Sequence, residues 1–287
     1  MDLPFHAVTR VRPVDEDPEL VEAVIDRIGG PALDLSDDPD VALVAVADSE
    51  PHGVGPGVGL LARRADSWEL AVAPDDDTAV LADVVAALCA SAAAAGGGPA
   101  RWFVPDATAR HAQVAADAGL APTRRLFQMR GALPLPERST VLVRPYEPDR
   151  DRTAWIAVNN RAFDWHPDQG GWTERDVRER ELEDWFDPAG FLLHEVDGRL
   201  AAFCWTKVHG DHDPPLGEIY VIAVDPEFQG QGLGRELTLA GLEHLAEQGL
   251  QVGMLYVEDD NAAAVGLYQE LGFHIHHDDV FFTGTIA

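Results

Sequence analysis

Gly217–Gly249, GEIYVIAVDPEFQGQGLGRELTLAGLEHLAEQG, is the stretch whose reading decides the fold. Its first part, Glu218 to Val224, is rich in β-branched and aromatic residues and reads as a strand. Asp225-Pro226 ends that strand. Gln229-Gly230-Gln231-Gly232-Leu233-Gly234 then leads into a helical pattern with Leu237, Leu239, Ala240, Leu242 and Leu245 among its apolar positions and Gly249 as its stop. A strand, a glycine-dense turn and a helix N-terminus together make an anion site. Backbone N–H groups converge there, the helix dipole favours negative charge, and missing β-carbons let phosphate oxygens approach.

Spacing narrows the choice of anion. A P-loop ends Gly-Lys-Ser/Thr, whereas Gly234 is followed by Arg235 and Glu236. The dinucleotide fingerprint needs a third glycine where Arg235 stands. Gln-x-x-Gly-x-Gly after a strand ending Val-Asp-Pro resembles instead the pyrophosphate loop of the GNAT acyltransferase superfamily, whose loop amides hold the diphosphate of coenzyme A. The plain alternative is a glycine-rich turn with no ligand.

The rest of the chain bounds this reading. Its 287 residues are enough for one large or two ordinary domains, and with 46% hydrophobic residues it can bury a substantial core. No run of about eighteen apolar residues marks a membrane span, and Met1-Asp2-Leu3 lacks the basic start of a signal peptide. Cys89 and Cys204 sit in apolar runs and read as core thiols, so a cytoplasmic location is expected. A net charge of −29 argues against nucleic-acid and anionic-membrane partners. It also obliges local amides and arginines to overcome a repulsive field around any polyphosphate. The sequence does not set the oligomeric state, and a monomer is the working expectation.

An internal repeat organises the whole. Val141-Leu142-Val143-Arg144-Pro145 echoes Arg10-Val11-Arg12-Pro13, and Glu69-Leu70-Ala71-Val72-Ala73-Pro74 echoes Val221-Ile222-Ala223-Val224-Asp225-Pro226. Two copies of a roughly 140-residue β/α unit follow. The fold class is therefore α/β (a mixed sheet), as two tandem acyltransferase-like domains: a degenerate one over 1–132, a linker over 133–140, and a catalytic one over 141–287. In the first copy Asp75-Asp76-Asp77-Thr78-Ala79-Val80 stands where the glycine loop belongs. Three carboxylates suit a helix N-terminus but repel a pyrophosphate.

Element boundaries follow from pattern. In the first half, strands are expected near 8–13, 40–48, 57–62, 68–72, 101–104 and 124–131, with helices near 18–28, 78–95 and 107–118. In the second half, helices are expected near 150–163, 174–186 and 262–271. Strands are expected at 141–145, 190–196, 200–209 and 252–257, and a final pair at 273–276 and 280–286.

Acyl transfer from a thioester to an amine needs a base for the ammonium, a donor for the oxyanion and a proton for the thiolate. Glu218 opens the strand that feeds the loop and is the candidate base; the plain alternative is a solvent-facing edge glutamate. Tyr268, about two turns into the helix after Asn261, is the candidate acid or else a core tyrosine. Tyr256 either binds substrate or packs. Lys207, the lone lysine among 21 basic residues, either anchors a polar substrate or is an ordinary exposed lysine. The tryptophans at 165, 172, 185 and 205 are read as core before sugar platform. His274, His276, His277 and Asp278 alternate along a strand, and no metal is expected there.

A closer resemblance is carried by several blocks of the second half. They are Asn159–Phe163, His166–Trp172, Trp185–Phe191, Trp205–His209, Gly217–Pro226 and Leu255–Asn261. Together they are similar to the mycothiol acetyltransferase family of tandem GNAT proteins. That resemblance implies acetylation of the cysteinyl amine of cysteinyl-glucosaminyl-inositol, a small-molecule substrate, with acetyl-CoA as co-substrate. It implies Glu218 as general base and Tyr268 as general acid, with Glu183, Lys207, Glu218 and Tyr256 on the acceptor. Acetyl-CoA would lie against Ile222, Ala223 and Val224, against Gln229, Gly230, Gln231, Gly232, Leu233, Gly234 and Arg235, and against Asn261, Ala262, Ala263, Ala264, Val265 and Gly266. It further implies an acidic substrate contact from the first half, at Asp37. A GNAT enzyme acting on an aminoglycoside or a protein N-terminus, and a non-catalytic acyl-CoA-binding regulator, are the competing readings.

Overall fold

Two parallel crossovers frame the structure, one in each half of the chain. The computed structural model describes residues 10–13, 41–46, 57–64, 66–73, 78–165 and 169–287. The helix expected near 18–28, Asp37, the acidic run Asp75–Asp77 and residues 166–168 lie outside the described residues.

The first unit comprises residues 1–126 and 277–287, and the second residues 127–276. In the first, β1 (Arg10–Pro13), β2 (Val41–Val46), β3 (Gly57–Arg64) and β4 (Ser67–Val72) pair antiparallel in sequence. Helix α1 (Thr78–Ala94) then crosses over to β5 (Gly98–Val104), which runs parallel to β4. Helix α2 (Ala109–Asp117) leads to β6 (Leu120–Ala132), whose last residues, from 127 on, belong to the second unit. Helix α1 is apolar almost all round, and Val84, Val85 and Leu88 are fully buried against Trp102 and Phe282. Gly57 and Gly59 let it close on β3, because a β-carbon on Gly59 would meet Val84 Cγ1 at 2.9 Å and Leu88 Cδ1 at 3.0 Å.

The second unit repeats the scheme. After β7 (Arg144–Pro145), α3 (Pro148–Ala162) and α4 (Glu174–Glu181), strands β8 (Phe191–Val196), β9 (Arg199–His209) and β10 (Leu216–Val224) pair antiparallel. Helix α5 (Leu233–Glu247) crosses to β11 (Val252–Glu258), parallel to β10, and α6 (Ala262–Glu270) leads to β12 (His274–Ile286). One face of this sheet buries Cys204, Ile219, Leu237, Leu242 and Tyr268 beneath α5 and α6. The other buries Trp155, Phe191, Phe203, Trp205 and Val221 beneath α3 and α4.

Five sequence expectations change. The units are not separated by one cut at 133–140, because β12 pairs antiparallel with β5 from Val280↔Val104 to Ile286↔Gly98 and adds Val280, Phe282 and Ile286 to the first core. The expected linker is no loose tether either. Glu236 of α5 accepts from the Thr140 amide at 2.6 Å, Glu243 accepts from the Ser139 amide at 2.7 Å, and Leu133 enters the second core. Strands 273–276 and 280–286 are a single strand, since 277–279 continue the extended chain. The strand expected at 141–145 shrinks to Arg144–Pro145, and the helix expected to Phe186 stops at Glu181. Acidic Glu183 and Asp184 oppose a helix C-terminus, and the chain turns so that Trp185 and Phe186 reach the aromatic core.

Candidate functional site

The site is built on β10, where the pairing register breaks. Ile219 opposes Thr206, but Val221 opposes Trp205, so Tyr220 is one residue extra. Such a bulge turns two consecutive side chains toward one face. Tyr220 and Val221 accordingly both pack on the aromatic side, with Tyr220 5.3 Å from Trp205 and 4.9 Å from Trp185. On its other edge β10 pairs with β11 only from Leu216↔Val252 to Ile219↔Leu255. Beyond Ile219 the two strands part, and the β10 edge toward β11 carries backbone groups not committed to that ladder.

Period-two alternation places Trp205, Lys207 and His209 on one face of β9, opposite Glu218, which pairs directly with Lys207. Glu218 is only 6% exposed, which rejects the solvent-facing alternative. Its carboxylate lies 2.7 Å from Nε2 of His209. Lys207 is half-buried, its ammonium 4.5 Å from the Trp185 ring and 5.6 Å from that of Tyr220. It is therefore held by two aromatic faces and is no ordinary exposed lysine. The Tyr220 hydroxyl is pushed above its usual pKa by burial; Arg180 opposes the shift, while Glu218 and Glu183 add to it. Glu183 itself sits at the rim, exposed, 3.4 Å from Arg180. Of the tryptophans, Trp205 is fully buried and stacks on Phe191 at 4.5 Å, as core. Trp165 is exposed.

Past the bulge, Ile222, Ala223 and Val224 lead to Asp225, which is fully buried. Asp225 pairs with Arg161 and accepts from the Glu227 amide at 3.0 Å. Burial pushes this carboxyl up, but the guanidinium and the amide hold it below the usual carboxylate range. That anchor fixes the start of the loop. Gly230 and Gly232 take φ of +76° and +80°, a region that favours glycine. A β-carbon at Gly230, Gly232 or Gly234 would meet nothing within 4 Å. Helix α5 opens here without a side-chain cap, whereas Thr173 caps α4 and Asn261 caps α6. Among the described residues no partner takes the amides of Gly230 to Arg235. An open cradle of unspent N–H donors at a helix N-terminus fits a diphosphate.

The other expected residues are distributed around this frame. Arg235 pairs with Glu137 at 2.8 Å. Asn261 accepts from the Ala264 amide at 3.2 Å; Ala262 and Ala263 of the first turn of α6 are exposed, and Ala264 is half-buried. Val265 and Gly266 are half-buried behind them. Tyr268 is buried on the α5 face beside Phe273, and burial raises its phenol above the usual range, with Cys204 a lesser cause. Tyr256 is partly exposed and its hydroxyl accepts from Gln128 at 2.7 Å. His277 lies 3.2 Å from Asp279, and Asp278 bonds Arg125 at 2.7 Å. Sequence reasoning missed Tyr220 and His209, because a bulge and a cross-strand diagonal leave no composition signal.

Comparison with known proteins bears on this geometry. Residues 157–273 match the Acetyltransferase (GNAT) family. The mycothiol acetyltransferase of Acidimicrobium ferrooxidans is 43% identical over 275 residues, covering 91% of this chain and 84% of that protein. The chain belongs to the mycothiol acetyltransferase family. Another family member, the mycothiol acetyltransferase of Thermomonospora curvata, is 51% identical over 191 residues, or 64% of this chain and 63% of that protein. With that relative the shared segment thus spans a little under two thirds of its length. A tandem GNAT protein from the clavulanic acid biosynthesis pathway shares the fold, with a TM-score of 0.61 at 18% identity over 87% of this chain and 85% of its own. The tandem α/β architecture expected from the repeat is therefore also the fold of that solved structure.

Proposed function

We propose that the chain is an acetyl-CoA-dependent N-acetyltransferase that acetylates the cysteinyl amine of cysteinyl-glucosaminyl-inositol, the last step of mycothiol biosynthesis. The observation that carries this is a buried glutamate, Glu218, on a bulged strand that runs directly into an uncapped glycine cradle. Family membership supports the acceptor.

Acetyl-CoA, when bound, supplies the acetyl thioester. The amides of Gly230 to Arg235 hold its diphosphate, with Ile222 to Val224 and Asn261 to Gly266 alongside. Glu218 takes the proton from the acceptor ammonium, directly or through water. Backbone N–H groups of β10 beyond Ile219, on the edge that no longer pairs with β11, are the donors for the developing oxyanion. Tyr268 keeps its proton through neutral pH, the form an acid needs for the leaving thiolate. Lys207, Tyr256 and Glu183 bind the polar acceptor, and no metal enters the scheme. Cys89 and Cys204 are free thiols, in keeping with a reducing cytoplasm. Among the described residues no helix is long and apolar enough to cross a membrane.

The test is thiol release from acetyl-CoA with cysteinyl-glucosaminyl-inositol as acceptor. Turnover with that acceptor supports the reading. Release only with another amine, or acetyl-CoA binding with no turnover of any amine, overturns it.

A further inference from the structure

A buried base must be emptied before the next turnover. Among the described residues its carboxylate has one hydrogen-bond partner, Nε2 of His209 at 2.7 Å. The two sit diagonally across the β9–β10 pair, where Leu216 opposes His209 and Glu218 opposes Lys207. The His209 side chain is 21% exposed against 8% for that of Glu218. Its ring meets the edge of His212 at 5.9 Å, and His212 and Asp211 lie exposed on the hairpin turn. Among the described residues the charged or titratable groups around the imidazole are Glu218 and Lys207 on the strands and Asp211 and His212 on the turn.

Resting on the acetyltransferase reading, we infer that His209 is a positioning and proton-relay residue that orients the Glu218 carboxylate and carries its proton to solvent. The bookkeeping involves protons alone. The acceptor ammonium gives one proton to Glu218. Glu218 passes it to Nε2 of neutral His209 and returns to carboxylate. The imidazolium then releases a proton from Nδ1 to water or to His212, and exchange of the ring protons with water returns the neutral ring to the Nδ1–H tautomer with Nε2 free for the next turnover. Histidine suits the task because its ordinary pKa lies near neutrality. Lys207 cannot substitute, since an ammonium has no free acceptor site for a proton.

The test is His209→Gln, which can still donate to Glu218 but cannot accept and release a proton, beside His209→Ala. Three readouts are combined: kcat and KM across pH, rescue by added imidazole, and the NMR titration of the His209 ring in the free protein. In His209→Gln we expect kcat to fall at least tenfold with acceptor KM within about twofold, since proton-transfer groups contribute mainly to the chemical step. Imidazole should restore His209→Ala but not Glu218→Gln, and Glu218→Gln should move the ring titration in the free protein. Unchanged kcat and pH profile in His209→Gln, a loss confined to KM, or a ring titration indifferent to Glu218→Gln would each overturn the relay. Absence of thiol release by the wild-type protein would instead remove the underlying reading, and the relay with it.

Discussion

The two crossovers, β4–α1–β5 and β10–α5–β11, share a topology and spend it differently. In the first, glycine serves packing: Gly57 and Gly59 lie beneath α1, and a β-carbon on Gly57 would meet Val80 Cγ1 at 2.3 Å. In the second, Gly230 and Gly232 sit in the loop and face open space. The carboxylates differ as well. Glu69 on β4 is met by two guanidiniums, Arg64 at 3.1 Å and Arg101 at 2.7 Å, one at each carboxylate oxygen. Glu218 on β10 meets one imidazole and lies beside a bulge. Both oxygens of Glu69 are thus taken by cations, whereas Glu218 meets a single histidine among the described residues. Both units keep the shared topology over their own packed cores, and the chemistry depends on a handful of positions.

The largest expected effect breaks this contrast at the carboxylates. Glu218→Gln should lower kcat by about a hundredfold or more, the scale of losing a general base, while Glu69→Gln leaves the rate of thiol release unchanged. Equal losses in both variants would place chemistry in both crossovers.

Next comes the anchor of the loop. Arg161→Met strands the buried Asp225 carboxylate and should cost about 1–3 kcal/mol in urea unfolding at neutral pH. Because the folded Asp225 pKa is depressed, its contribution is present above the ordinary carboxylate pKa and disappears as pH falls through the folded value. The gap between wild type and Arg161→Met should therefore close in acid, below about pH 4. A gap independent of pH would detach the anchor from this ion pair.

The smallest pair of effects separates the two uses of glycine. Gly232→Ala puts a side chain at φ +80°. It should weaken acetyl-CoA binding by up to about tenfold, because the left-handed conformation costs roughly 1–2 kcal/mol. Gly59→Ala should lower stability by about 1–3 kcal/mol through overpacking and leave that affinity alone. Calorimetry and denaturant melts on both proteins would expose any exchange of these effects.

Much of the second crossover could be read directly from residues. A strand ending Val-Asp-Pro and the spacing of Gly230, Gly232 and Gly234 are local patterns with local physical meaning. The bulge at Tyr220 was not legible, since Glu218–Val224 carries no glycine or proline to mark it. His209 was hidden for a related reason: its partner is set by strand register, not by distance along the chain. The course of the final strand was equally invisible, because Val280, Phe282 and Ile286 are apolar in a way that suits either core.

The central claim, that only the second crossover keeps a coenzyme site, is tested most directly by titration calorimetry of the full chain with acetyl-CoA. One equivalent per chain, weakened by Gly232→Ala, is the predicted result. Two equivalents, or one whose affinity ignores Gly232→Ala, would contradict it.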